Sequence, residues 1–150
     1  MSERDVKVRI HGIDEVGSAG DGPGVRSIVF FQGCHRHCPG CHNPETWSPC
    51  GGTETTVGAI EDRLLAIRTR RVTISGGEPL EQLTALRALI ARLNADGLDI
   101  ALYTGGSRDE VPEDIARNVR HLKTGAFVQE LRTTTKPFVG SSNQTFWSAA

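Results

Sequence analysis

The chain has 150 residues, a formal net charge of −1 and a mean hydropathy of −0.29. This length favours a single domain over residues 1–150, large enough to bury a core without disulfide bonds. The near-neutral charge argues against general nucleic-acid binding, which needs a strong basic excess.

The sequence predicts neither a signal peptide nor a membrane span. The first ten residues, MSERDVKVRI, contain no apolar core of signal-peptide type. No run approaches the roughly 18 apolar residues of a membrane span. We therefore expect a cytoplasmic protein, in which clustered cysteines indicate metal binding or catalysis rather than disulfides.

Apolar runs that end in glycine turns predict strands, and runs with apolar residues three and four apart predict helices. In chain order the expected elements are a strand at 25–32, a helix at 57–70 capped by Thr55 or Thr56, a strand at 71–75, a helix from Leu83 to about Gly97, a strand at 98–103, a helix opened by Pro112, a strand at 119–125 and a last strand within 136–144.

Strands that alternate with helices predict an α/β fold with mostly parallel strands. In such folds the functional groups gather in the loops at the carboxyl ends of the strands. Here these loops are GCHRHCPGCHNPETW (33–47), GGEP (76–79) and YTGG (103–106). Three chemically unusual loops are therefore expected on one face of the sheet.

The first of these loops carries Cys34, Cys38 and Cys41 at the spacing C-x3-C-x2-C. A structural zinc site would take four ligands, and Cys50 or a nearby histidine could complete it. A [4Fe–4S] cluster of the electron-transfer kind also takes four cysteines. Three cysteines alone would leave one iron open to a substrate. The spacing by itself leaves these alternatives open.

Several motifs together resemble one family. The segments are GPGVR (22–26), GCHRHCPGCHNPETW (33–47), SGGEPL (75–80), YTG (103–105), LKTGAFVQEL (122–131) and GSSNQ (140–144). The cysteine motif and SGGEP resemble the radical S-adenosylmethionine (radical SAM) superfamily. The full order, over roughly residues 20 to 147, is similar to the activating proteins of anaerobic ribonucleoside-triphosphate reductase, which are glycyl-radical-enzyme activases.

Two positions qualify the resemblance. Pyruvate formate-lyase activases usually carry an aromatic residue before the third cysteine, where this chain has Gly40. Cys50 lies outside the family pattern, and we interpret it as an incidental thiol.

The resemblance implies a partial (β/α) barrel of the radical SAM type and assigns roles to the three loops. Cys34, Cys38 and Cys41 would bind a [4Fe–4S] cluster with one open iron, which S-adenosylmethionine (SAM) would occupy. The resemblance implies further SAM contacts at Gly76, Gly77 and Glu78 for the amino group, Lys123 for the carboxylate, Thr104 with Gly105 for the ribose or adenine, and His42 and Asn43 near the cluster.

The implied activity is reductive cleavage of SAM to a 5′-deoxyadenosyl radical, which generates a glycyl radical on the large subunit of anaerobic ribonucleotide reductase. A flavodoxin or a ferredoxin-type protein would supply the electron. Three alternatives remain: another glycyl radical enzyme, peptide or small molecule as target, a non-catalytic zinc module, and an electron carrier completed by Cys50.

Three smaller features also carry expectations. Trp47 is expected to pack the cysteine loop onto the barrel. GPGVR is expected to form a tight turn, with Arg26 reaching the site as the alternative. GSSNQ is expected to close the barrel edge or to bind SAM or the partner.

Overall fold

The computed structural model describes residues 2–17, 22–41 and 44–149, and within them seven strands form one open sheet. The strands are β1 (Lys7–Asp14), β2 (Ser27–Phe31), β3 (Thr53–Thr56), β4 (Arg71–Gly76), β5 (Asp99–Tyr103), β6 (His121–Thr124) and β7 (Thr145–Ser148). Their order across the sheet is β3-β1-β2-β4-β5-β6-β7.

The centre of the sheet is parallel and its two sides are antiparallel. Strands β2, β4, β5 and β6 pair in parallel, whereas β1 runs antiparallel to β2 and β3, and β7 runs antiparallel to β6. Val29, Ile74 and Leu102 lie in register across three central strands and are fully buried. Strands that are buried on both faces have continuous apolar sequences, and this pattern is why the sequence predicted the central strands.

Three helices accompany the sheet: α1 (Val57–Ala66), α2 (Leu83–Ala95) and the single-turn α3 (Glu113–Ala116). The hydroxyl of Thr56 accepts a hydrogen bond from the Ala59 N–H at 3.1 Å and caps α1, one of the two caps expected. The apolar faces of α1 and α2 contribute Ile60, Leu64 and Leu89 to the core. Shorter 3₁₀ helices lie at 3–5, 44–46, 79–82, 108–110 and 129–131.

The sequence-based elements need correction mainly at the sides of the sheet. The strand expected within 136–144 is wrong, because β7 begins at Thr145. Strands β1 and β3 were not predicted. Strand β3, TETT, has no apolar residue, and its strand structure comes from pairing with β1. Helix α1 also ends earlier than expected, at Ala66, whereas α2 ends at Ala95 with Asp96 as its cap, directly before Gly97, as expected.

Arg26 lies at the amino ends of the central strands, opposite the predicted site. Its side chain is 1% exposed and donates hydrogen bonds to the Thr73 hydroxyl at 3.0 Å and to the Asp99 carboxylate at 2.7 Å. It also donates to the carbonyls of Pro23, Val72 and Asp99. Arg26 therefore joins β2, β4 and β5 at this end, and the alternative that it reaches the site is wrong.

The described helices include none that is both long enough and apolar enough to cross a membrane.

Candidate functional site

A pocket of about 380 Å³ opens at the carboxyl ends of the parallel strands. Such a volume lies within the usual range for small-molecule sites. The three unusual loops and the segments after β6 all contribute to it. Its lining comprises Cys34, Arg36, Cys38, Cys41, Trp47, Ser75, Gly76, Gly77, Glu78, Tyr103, Thr104, Gly105, Lys123, Phe127, Phe138, Val139, Gly140 and Gln144. The structure thus brings together every predicted site residue that it describes. His42 and Asn43 lie outside the described residues.

The cysteine loop is fixed at its beginning by backbone hydrogen bonds. The Gly33 N–H donates to the Thr46 carbonyl at 2.6 Å, and the Cys34 N–H donates to the Trp47 carbonyl at 2.9 Å. These bonds close the loop, so that its two ends leave the sheet side by side. Trp47 stacks on His37 with ring centroids 4.5 Å apart and also lines the pocket. Trp47 therefore packs against a residue of its own loop and faces the pocket, whereas packing of the loop onto the barrel was expected.

The three loop thiols differ in their environments. Cys34 is buried, Cys38 and Cys41 are half-buried, and Cys50 is exposed on a turn away from the pocket lining. Burial raises the pKa of the Cys34 thiol, although hydrogen bonds from the backbone N–H groups of Arg36 and His37 oppose the rise. Such N–H donors also favour a metal-bound thiolate, which carries negative charge.

Gly76 and Gly77 pack directly against the end of β2. The Gly77 N–H donates to the Phe31 carbonyl at 2.9 Å, and the Glu78 N–H donates to the Gly33 carbonyl at 2.8 Å. A Cβ on Gly77 would lie 2.4 Å from the Gly33 oxygen. The glycine pair therefore allows the backbone after β4 to approach the beginning of the cysteine loop.

The carboxylate of Glu78 links two of the loops. It is buried and accepts hydrogen bonds from the Thr104 hydroxyl at 2.6 Å, the Gly105 N–H at 2.8 Å and the Leu80 N–H at 3.1 Å. The Thr104 hydroxyl in turn accepts from the Gly106 N–H at 2.9 Å. Thr104 therefore orients Glu78 and the turn after β5, a contact that the sequence did not predict.

Lys123 lies at the end of β6 with its ammonium 4.5 Å from the centroid of the Tyr103 ring. Both residues line the pocket. A cation over an aromatic face is held by the negative potential of the ring. The aromatic ring therefore orients this positive charge at the floor of the pocket.

GSSNQ holds the chain that follows β6. The Gln144 amide donates to the Gly125 carbonyl at 2.9 Å, and its oxygen accepts from the Gly140 and Ser141 N–H groups at 2.8 and 3.1 Å. The Ser141 hydroxyl accepts from the Val128 N–H at 3.1 Å, and the Asn143 amide donates to the Ala126 carbonyl at 2.8 Å. These side-chain hydrogen bonds, together with an antiparallel bridge between Arg132 and Ser141, close this side of the pocket, which Phe127 lines.

Arg36 and Gln144 are pocket residues that the sequence reading missed. Arg36 contacts residues 42 and 74 positions later in the chain, Glu78 and Glu110. Gln144 belongs to GSSNQ, for which the sequence predicted closure of the barrel edge or binding of SAM or the partner, without a separate role for this residue. A possible signal for Arg36 was its place between two predicted ligands, Cys34 and Cys38.

An open α/β sheet with a parallel centre, and with three thiols and a GGE turn lining one pocket at the carboxyl ends of its strands, defines a protein of the radical SAM class. Comparison with known proteins agrees with this. Residues 20–147 match the family described as a 4Fe-4S single cluster domain. In structure, the chain is similar to QueE from Escherichia coli, with a TM-score of 0.57, 18% identity and coverage of 79% of this chain and 70% of that chain. That likeness shows the shared fold.

Two kinds of relative are similar in sequence. The anaerobic ribonucleoside-triphosphate reductase-activating protein of Salmonella typhi is 34% identical over 137 residues, which cover 83% of this chain and 88% of that protein. The pyruvate formate-lyase-activating enzyme of Clostridium pasteurianum is 40% identical over 104 residues, 65% of this chain. The chain spans 43% of the length of that second relative. The chain belongs to the family of 4Fe–4S radical SAM activating proteins that includes both.

Proposed function

We propose that this chain activates an anaerobic ribonucleoside-triphosphate reductase by generating a glycyl radical on its large subunit. The observation that carries the proposal is the shared pocket, in which three cysteine thiols face the GGE turn and the ends of β5 and β6. The resemblance to the activating protein of Salmonella typhi extends over 88% of that protein and supports this target.

The donor set fits a [4Fe–4S] cluster with one open iron. Within residues 2–17, 22–41 and 44–149, no three His, Cys, Asp or Glu side chains form a group that could hold a metal ion. In the proposed cluster, Cys34, Cys38 and Cys41 each bind a different iron, so the thiols need not converge on one point. Their common pocket and the N–H groups near Cys34 favour this assignment.

The remaining pocket residues are proposed to bind and orient SAM. The N–H groups of Gly77 and Glu78 donate to the end of β2 and to the cysteine loop, so the backbone carbonyls of the glycine pair are the groups proposed to accept from the SAM amino group. The Glu78 carboxylate, which already accepts three hydrogen bonds, supplies negative charge beside them. Lys123 supplies a positive charge for the SAM carboxylate. Thr104 acts by orienting Glu78, and Gly105 offers backbone surface to the ribose or adenine.

A bound cluster would supply the electron for reductive cleavage of SAM to methionine and a 5′-deoxyadenosyl radical, which would take a hydrogen atom from a glycine of the partner. The chain itself orients SAM and limits the access of water to the buried parts of the pocket. A glycine-bearing segment of the partner would enter from the open side. A flavodoxin or a ferredoxin-type protein is the proposed reductant.

A second target deserves a direct test because the relative from Clostridium pasteurianum is a pyruvate formate-lyase-activating enzyme at 40% identity. The same radical chemistry on that glycyl radical enzyme would need the same pocket.

The test begins with anaerobic reconstitution with iron and sulfide, followed by dithionite reduction in the presence of SAM. We expect about four irons per chain and release of 5′-deoxyadenosine. Purified anaerobic ribonucleotide reductase should then show a glycyl radical by electron paramagnetic resonance, and pyruvate formate-lyase should show none. A radical on pyruvate formate-lyase alone would select the second target.

Cysteine variants separate the cluster from the alternatives. We expect Cys38→Ser to lose the cluster and all SAM cleavage, and Cys50→Ser to retain both, because Cys50 is exposed and outside the pocket lining. Loss of iron from Cys50→Ser would favour a four-cysteine electron carrier. One zinc per chain and no SAM cleavage in the wild-type protein would support the zinc module instead.

A further inference from the structure

Arg36 lies in a slot formed by the turn after β5. The residue sits between Cys34 and Cys38, lines the pocket, and has a side chain that is 24% exposed. A Cβ on Gly105 would lie 2.9 Å from the Arg36 Cδ, and one on Gly106 would lie 3.4 Å from its Nη2. Neither glycine has a positive φ, so their missing side chains provide space for Arg36.

Two acidic residues on other loops flank the Arg36 guanidinium. Its Nη2 donates to the Glu110 carboxylate at 3.1 Å, and its Nε lies 3.4 Å from the Glu78 carboxylate. Glu78 follows β4, whereas Glu110 belongs to the 3₁₀ helix at 108–110. Arg36 therefore connects the cysteine loop to two loops that are remote in sequence.

Both carboxylates also accept hydrogen bonds from groups other than Arg36. Glu78 accepts three other hydrogen bonds, and Glu110 also accepts from the Ser107 N–H at 3.0 Å. Among the residues that the structure describes, the buried Arg36 Nε has no hydrogen-bond acceptor. The Glu78 carboxylate lies 3.4 Å from this nitrogen, so the two groups interact through their charges rather than through a hydrogen bond.

We propose that Arg36 is a positioning residue that holds the cysteine loop against the pocket and places a fixed positive charge beside the cluster. This inference rests on the proposed function. A three-thiolate cluster becomes more negative by one charge when it accepts an electron. A nearby guanidinium in a partly buried site favours that reduced state, because charge interactions are weakly screened there. Arg36 thereby raises the reduction potential of the cluster.

The experiment compares Arg36→Met, which keeps an unbranched apolar chain, with Arg36→Lys, which keeps the charge. The readout is the cluster midpoint potential from a redox titration followed by electron paramagnetic resonance. We expect the equilibrium constant for reduction to fall about tenfold in Arg36→Met, a shift of about 59 mV for one electron. Arg36→Lys should change the equilibrium constant for reduction by less than about threefold.

Arg108→Met is the matched control. Arg108 belongs to the neighbouring 3₁₀ helix, pairs with Glu113 at 2.9 Å and lies outside the pocket lining. Its loss also removes one positive charge, and we expect the midpoint potential to stay at the wild-type value. If the midpoint potential fell by the same amount in Arg108→Met, the effect would be one of general charge, and the role of Arg36 would be overturned.

Further outcomes separate this inference from the proposed function. A wild-type potential in Arg36→Met would overturn the inference, although SAM cleavage by the wild-type protein would still support the function. Equal falls of the midpoint potential in Arg36→Met and Arg36→Lys would also overturn the role of the Arg36 charge. If Arg36→Met does not load a cluster, Arg36→Gln replaces it. Loss of the cluster from both neutral variants but not from Arg36→Lys supports the requirement for a positive charge.

Discussion

At the scale of single residues, the site depends on positions where a side chain would meet backbone atoms of another segment. Position 77 is an example, because the atoms nearest to a Cβ there are the carbonyl oxygens of Gly33 and Thr46, at 2.4 and 2.8 Å. Flexible side chains can move away from an added methyl group, whereas these carbonyls belong to the hydrogen-bonded beginning of the cysteine loop. Gly77 therefore fixes the distance between that loop and the GGE turn.

Gly77→Ala is expected to destabilise the apoprotein by about 3 kcal/mol, because overpacking against rigid atoms cannot be relieved. Urea denaturation of the cluster-free protein measures this directly. Gly12→Ala is the control, since a Cβ on Gly12 meets nothing within 4 Å. We expect that control to be neutral or slightly more stable than the wild-type protein. Equal stability of the two variants would contradict the packing role of Gly77.

The positions of single residues around the pocket were predictable where chemistry and local sequence coincide. Three cysteines within eight residues and the GGE turn were sufficient to identify the pocket. Thr104 was expected to line it, but the structure shows its hydroxyl bonded to Glu78, which is 26 residues away. Local sequence does not encode such pairs, because the fold decides which loops meet.

At the scale of elements, the sequence predicted the central strands and missed the sides of the sheet. The runs that became β2, β4 and β5 are apolar because both of their faces are buried. Strand β3 has no apolar residue, and the half-exposed β7 has polar residues at both ends. Such strands form because a neighbouring strand supplies partners, and a pattern within one segment does not report this.

Side-chain hydrogen bonds, rather than a helix or a strand, hold much of GSSNQ in place. Gln144 makes three hydrogen bonds to backbone groups of residues 125, 140 and 141. Gln144→Ala would leave these groups without their partner, and we expect a loss of about 2 kcal/mol of stability. Hydrogen exchange should become faster at residues 125–131 and 140–144. SAM affinity should fall because Phe127 and Gly140 line the pocket.

Asn143→Ala is the matched control for this element. Asn143 is exposed and makes a single side-chain hydrogen bond, to the Ala126 carbonyl. We expect its loss to have a smaller effect on stability and little effect on SAM affinity. Unchanged exchange in Gln144→Ala would contradict the view that its side chain holds the segment in place.

At the scale of the whole molecule, a charged cluster joins the amino-terminal segment to both long helices. Glu61 of α1 is 1% exposed and accepts hydrogen bonds from Arg4 at 2.6 Å and from Arg92 of α2 at 3.0 Å. The periodic apolar residues of the two helices predicted their packing faces. A buried glutamate between two arginines was not predictable, because Arg4 and Arg92 come from distant parts of the chain.

The charges around Glu61 make folding depend on pH. Burial would raise the pKa of Glu61, but hydrogen bonds from Arg92 and Arg4, together with the interaction with Asp96, outweigh it and lower that pKa to about 2 from an ordinary value of 4.5. The contact with Glu61 in turn raises the pKa of Asp96, which partly offsets the effect. Because the folded state lowers the pKa of Glu61, its stabilising contribution is complete above pH 4.5 and is lost as the pH falls towards 2.

Glu61→Gln is therefore expected to be less stable than the wild-type apoprotein by about 2 kcal/mol at pH 7, with the difference shrinking between pH 4.5 and 2. Urea midpoints measured across this range test both the size and the sign. Asp114→Asn is the control, because Asp114 pairs with Arg87 on the surface, where both side chains are about half exposed. Its stability should follow the wild-type profile closely, since solvent screens an exposed pair. A difference between Glu61→Gln and the wild-type protein that stayed constant down to pH 2 would show that Glu61 stabilises the fold by packing rather than by its charge.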